Sequence, residues 1–119
     1  MGNVGLRREG HVAILTFDNP PRNMLTTAMF AELGEHVRAL DADPETRVVI
    51  IHGAGERLYT VGADIREMDV VISWGDRSAN AAAWLADIHD VLDAIERSPK
   101  VYICAMKGHS YGGGLETAA

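Results

Sequence analysis

Two short glycine-bearing stretches hold the residues best suited to chemistry, Tyr59-Thr-Val-Gly-Ala-Asp-Ile-Arg66 and Tyr111-Gly-Gly-Gly-Leu-Glu116. Each reads as a turn that follows a buried strand. Glycine lets a backbone approach a bound group with no Cβ in the way, and the amides that open a helix point outward without an internal partner. Amides so placed can hold an oxygen that is gaining negative charge. A carboxylate, Glu116, stands three residues beyond Gly113. If Gly113 opens a helix, that carboxylate falls about one turn further on, on the same face as the amide. Arg22, Arg57 and Arg66 flank these loops, and a guanidinium binds phosphate through two parallel hydrogen bonds.

Composition removes several other classes of function. The 119 residues carry 11 Lys and Arg against 17 Asp and Glu, a formal net charge of −6, which is the wrong sign for a general nucleic-acid surface. The five histidines, at positions 11, 36, 52, 89 and 109, show neither paired spacing nor a cysteine partner, so no metal site is expected. The single cysteine, Cys104, lies in the apolar run Val101-Tyr-Ile-Cys-Ala-Met106 and reads as a buried packing residue in a reducing compartment. No stretch approaches the ~20 apolar residues of a membrane span, and the N-terminus lacks the apolar centre of a secretion signal. A cytoplasmic protein with no membrane partner is expected.

The elements that must position the two turns can be read from periodicity. His11 to Phe17 has the β-branched content of a strand, and Asp18-Asn-Pro-Pro21 ends it. Met29, Phe30, Leu33, Val37 and Leu40 recur at helical spacing, with Thr26 or Thr27 as N-cap and Asp43-Pro44 as the stop. Arg47 to His52 is a near-continuous apolar run, the pattern of a strand buried on both faces. A longer helix spans Ser78 to Arg97, marked by Trp84, Leu85, Ile88, Val91, Leu92 and Ile95, and a third buried strand covers Val101 to Met106. The order strand, helix, strand makes a βαβ unit. It is not a dinucleotide-binding one, because no G-x-G-x-x-G follows the first strand.

Four blocks in order resemble the enoyl-CoA hydratase/isomerase (crotonase) family. They are Asn19-Pro-Pro-Arg-Asn-Met-Leu25, Val48-Val-Ile-Ile-His-Gly-Ala-Gly55, Tyr59-Thr-Val-Gly-Ala-Asp-Ile65, and Pro99-Lys-Val-Tyr-Ile-Cys-Ala-Met-Lys-Gly108 with its glycine triplet. The resemblance covers nearly the whole chain and matches the family's N-terminal half. It implies an α/β fold, a spiral of ββα units present in its N-terminal part, with residues 1–119 forming a single truncated domain. It further implies that the amides of Ala63 and Gly113 form an oxyanion hole for a thioester oxygen and that Glu116 is an acid/base. Arg22, Arg57, Val61, Asp64, Ile65, Arg66 and Gly112 then lie at the substrate. Asp64 also reads as the cap of a short helix over 65–68. Val61 stands where the family usually has alanine and narrows the channel beside the thioester, Met24 replaces the alanine of N-A-L, and Thr117 occupies a usually apolar position.

The implied reaction is addition of water to a 2-enoyl-CoA or migration of a double bond in an acyl-CoA, with no cofactor apart from the coenzyme A of the substrate. The implied assembly is a homo-oligomer, a trimer or hexamer in full-length relatives. The family pattern places its second catalytic carboxylate and the helices that cover the site beyond Ala119. Strand edges and helix faces are therefore expected to be left open, which favours self-association. The competing expectation is a non-catalytic module that pairs with itself or with a full-length relative.

Overall fold

The computed structural model describes residues 2–20, 23–55, 58–60, 77–106 and 109–110. Strands β1 (Asn3–Glu9) and β2 (Val12–Asp18) form an antiparallel hairpin, in register from Glu9 opposite Val12 to Asn3 opposite Asp18. Gly10 opens the two-residue connection with φ 59°, a left-handed backbone that suits the twist of a tight hairpin. β1 has no counterpart among the expected elements. It is an edge strand whose Arg7, Arg8 and Glu9 are exposed, so its apolar alternation is confined to Val4 and Leu6.

Helix α1 (Thr27–Asp41) begins where the Thr26 hydroxyl accepts the Met29 N–H at 3.1 Å. That bond satisfies one of the amides a helix start leaves without a partner. The helix buries Met29, Phe30, Leu33, Val37 and Leu40 against Ala13, Leu15 and Phe17 of β2 and Val49 and Ile51 of β3 (Val48–Gly53). β3 runs parallel to β2, and β5 (Val101–Ala105) runs parallel to β3, giving the sheet order β1-β2-β3-β5. Helix α2 (Arg77–Arg97) packs on α1, where a Cβ on Gly34 would come within 3.1 Å of Val91 Cγ2. Glycine at that crossing lets the two helices approach closely. With β4 (Leu58–Thr60) and β6 (His109–Ser110), the order becomes β1-β2-α1, β3-β4-α2, β5-β6: the expected ββα spiral in part.

Among the described residues the core is one-sided, which corrects the expectation of strands buried on both faces. Alternate residues of β3 are buried and half-buried, while Val101 and Ile103 of β5 are 58% and 49% exposed. Helix α1 supplies apolar cover to one face, and Val12, Ile14, Val48, Ile50, Val101 and Ile103 share the other through their register. Cys104 is likewise half-buried, packed against the core margin rather than enclosed by it.

At the outer edge of β1, two side chains one helical turn apart on α1 take both backbone groups of Val4. Glu32 Oε1 accepts its N–H, and His36 Nε2 donates to its carbonyl at 2.8 Å. Side chains thus occupy the bonds that a further strand would make. At the N-terminal ends of the parallel strands, Asp43 ties several segments together. Its carboxylate accepts the Glu45 N–H at 3.0 Å and the Thr46 hydroxyl at 2.8 Å and pairs with Arg8. These bonds, led by the one from the Glu45 amide, hold its pKa below the usual carboxylate value.

Tyr102 points to the core side of β5, with its hydroxyl buried and without a hydrogen-bond partner among the described residues. Ser98 is near enough to favour the phenolate slightly, but its hydroxyl is committed to Asp41 and to the Lys100 N–H. Burial, with the Asp41 charge adding to it, pushes the phenol up to about 12. Tyr102→Phe removes the orphaned hydroxyl and is expected to stabilise the fold by about 1 kcal/mol, seen as a higher melting temperature at neutral pH. The folded phenol keeps its proton after the unfolded one has begun to lose it. Tyr102 therefore contributes a fall in stability as pH rises from 10 towards 12. Melts across that window should show less of this fall in the Phe variant.

Candidate active site

The strands that lead into the two glycine-bearing segments are partners. β4 and β6 pair in parallel, Leu58 opposite His109 and Thr60 opposite Ser110. Parallel neighbours lie about 5 Å apart and point the same way, so both C-terminal ends stand on one side. From these ends the chain continues into 61–66 and 111–116. Two stretches far apart in sequence thus begin side by side, as a site with one amide from each requires. The expected site residues themselves, Arg22, Arg57, Val61, Ala63, Asp64, Ile65, Arg66, Gly112, Gly113 and Glu116, lie outside the described residues.

What is described is the framework behind them. Between β2 and α1 the chain folds into a loop closed by two asparagines. The Asn23 N–H donates to the Asn19 carbonyl at 2.7 Å, the Asn19 N–H donates to Asn23 Oδ1 at 3.0 Å, and Asn19 Nδ2 donates to the Met24 carbonyl at 2.7 Å. Asn23 adopts φ 52° and is 3% exposed. Asparagine tolerates this left-handed backbone better than most side chains. Its Nδ2 reaches the turn after β3, donating to the Ala54 carbonyl at 3.0 Å, and the Ala54 N–H donates to the Phe17 carbonyl at 2.7 Å. The next residue, Gly55, has φ 86°, a conformation that favours glycine there. Beneath these loops, near the C-terminal ends of β2 and β3, the Thr16 hydroxyl and His52 Nε2 share a hydrogen bond of 2.7 Å.

Asn19 and Asn23 stand in the block Asn19-Pro-Pro-Arg-Asn-Met-Leu25, and the resemblance assigns them no role. Their spacing around two prolines is a signal for a side-chain-closed loop, since asparagine competes for backbone groups a few residues away. The Thr16–His52 pair could also be suspected, as two polar residues near the ends of otherwise apolar strands. Among the described residues no three His, Cys, Asp or Glu side chains gather where they could hold a metal ion, and no helix is long and apolar enough to cross a membrane.

Comparisons with known proteins agree with this architecture. Residues 7–119 match the family model described as enoyl-CoA hydratase/isomerase. A probable enoyl-CoA hydratase of Bacillus subtilis is 36% identical over 118 residues, covering 99% of this chain and 44% of its own length. A mitochondrial Delta(3,5)-Delta(2,4)-dienoyl-CoA isomerase of Homo sapiens is 32% identical, covering 89% of this chain and 34% of its own length. The crystal structure of an enoyl-CoA hydratase/carnithine racemase from Magnetospirillum magneticum superposes with a TM-score of 0.85 at 34% identity, over 97% of this chain and 42% of that one. The chain therefore spans less than half the length of these relatives. The match along nearly the whole sequence and the shared spiral of ββα units make this chain a member of the enoyl-CoA hydratase/isomerase family.

Proposed function

We propose that the protein acts on a 2-enoyl-CoA thioester, with the amides of Ala63 and Gly113 holding the thioester oxygen and Glu116 moving the proton. The observation that carries this reading is the parallel pairing of β4 with β6, which starts the two amide-bearing segments from adjacent strand ends. Charge that develops on the thioester oxygen in an enolate-like intermediate would meet two N–H donors. Loss of one such donor typically costs roughly 3–4 kcal/mol of transition-state stabilisation. A carboxylate on the same side would exchange a proton with the acyl carbon next to the thioester while water adds at the following carbon. Arg22, Arg57 and Arg66 would take the phosphates of coenzyme A, and Val61, Asp64, Ile65 and Gly112 would line the channel. No cofactor is needed beyond the coenzyme A of the substrate, and the assembly is a homo-oligomer.

The test uses the protein as its host makes it, incubated with crotonyl-CoA. Hydration is followed by loss of the conjugated enoyl absorbance, and binding is measured separately by calorimetry with the saturated butyryl-CoA. Turnover with formation of a 3-hydroxyacyl-CoA is the expected result. Binding without turnover would favour the non-catalytic module, and absence of both would overturn the acyl-CoA reading.

A further inference from the structure

We infer that Asn23 is a positioning residue, a clasp that fixes where the chain enters β4 and hence where the segment carrying the Ala63 amide begins. The inference rests on the oxyanion reading proposed above. Ala54 is gripped at both of its backbone groups from the β2–α1 side, its carbonyl by Asn23 Nδ2 at 3.0 Å and its N–H by the Phe17 carbonyl at 2.7 Å. Leu58, the first residue of β4, follows four positions later. A strand of three residues has few ladder bonds of its own, so its place depends on what holds its ends. The clasp is itself well anchored. Asn23 is 3% exposed, its other amide end accepts the Asn19 N–H, and its backbone N–H closes the loop on the Asn19 carbonyl. A buried amide held at both ends has little rotational freedom, so the point it grips is defined within the tolerance of a hydrogen bond. An oxyanion hole needs that tolerance, because a donor displaced by about 1 Å loses much of its effect on the reacting oxygen.

Two variants separate the clasp from general stability. Asn23→Gly keeps the left-handed backbone and deletes the side-chain bonds to Asn19 and Ala54. Asn23→Asp keeps the acceptor for the Asn19 N–H, deletes the donor to Ala54 and sets a carboxylate oxygen against the Ala54 carbonyl. Amide hydrogen exchange of the free protein should quicken roughly tenfold in peptides spanning 54–63 in both variants, with α1 unchanged. The infrared carbonyl band of bound, 13C-labelled butyryl-CoA should then lie closer to its free position than in the parent protein, and kcat for crotonyl-CoA should fall more than KM changes. Unchanged exchange at 54–63, or a carbonyl band that stays put in both variants while only the melting temperature falls, would overturn the positioning role. If the parent protein binds the thioester without shifting its carbonyl band, the oxyanion reading fails instead, and the exchange result alone decides whether Asn23 holds the turn.

Discussion

Replacing Glu116 by glutamine should lower the rate of crotonyl-CoA hydration by roughly 10²- to 10⁴-fold, the usual contribution of a positioned acid/base. Glutamine preserves the length and shape of the side chain and can still hydrogen-bond water, but it cannot take up or release the proton. The loss should fall on kcat, because ground-state contacts to the acyl-CoA are left in place. Calorimetric affinity for butyryl-CoA should be little altered. Full activity in the variant would remove Glu116 from the proposed chemistry, whereas weakened binding with kcat retained would make it a substrate contact.

Phe17→Ala should produce the largest loss of stability available from a single described side chain. Phe17 is 1% exposed and sits in the cluster formed by β2, β3 and α1. Truncating a buried phenylalanine typically costs about 3–5 kcal/mol, from lost transfer energy plus the cavity left behind. Against a total stability on the order of 5–15 kcal/mol, that removes a large share. Urea unfolding should show a lower midpoint with a similar slope. A cost below about 1 kcal/mol would mean that the site collapses around the gap and that Phe17 is not central to the packing. Because the Phe17 carbonyl also holds the Ala54 N–H, a surviving folded fraction should show faster amide exchange at the turn after β3.

Most of the larger elements were legible because one physical signal governs them. The spacing of Met29, Phe30, Leu33, Val37 and Leu40 records a helix with one buried face, and the runs in β2, β3 and β5 record strands. What periodicity could not carry was context. β1 escaped because an edge strand tolerates Arg7, Arg8 and Glu9 along its exposed part, and Gly10 was the informative residue. β4 and β6, three and two residues long, are too short to show a period and exist through pairing with a distant partner. The apolar runs of β3 and β5 suggested enclosure on both faces, yet α1 covers only one. At the candidate site, the resemblance rested on glycines and a carboxylate whose positions lie outside the described residues. The framework behind them depends on Asn23, whose importance comes from a backbone angle and two hydrogen bonds that composition does not display.

The paired grip of Glu32 and His36 on Val4 also bears on how the chain is born. Hairpin and helix lie within residues 3–41, ahead of β3 at Val48–Gly53, so every group in that grip has been synthesised before β3 leaves the ribosome. The growing chain can therefore cover Val4 on that strand edge with its own helix, through contacts that span 28 and 32 residues of sequence and need nothing that is made later. The side of β2 that β3 will take remains open meanwhile, which gives the growing sheet a direction: β3 and then β5 are laid down on the flank of β2 away from β1.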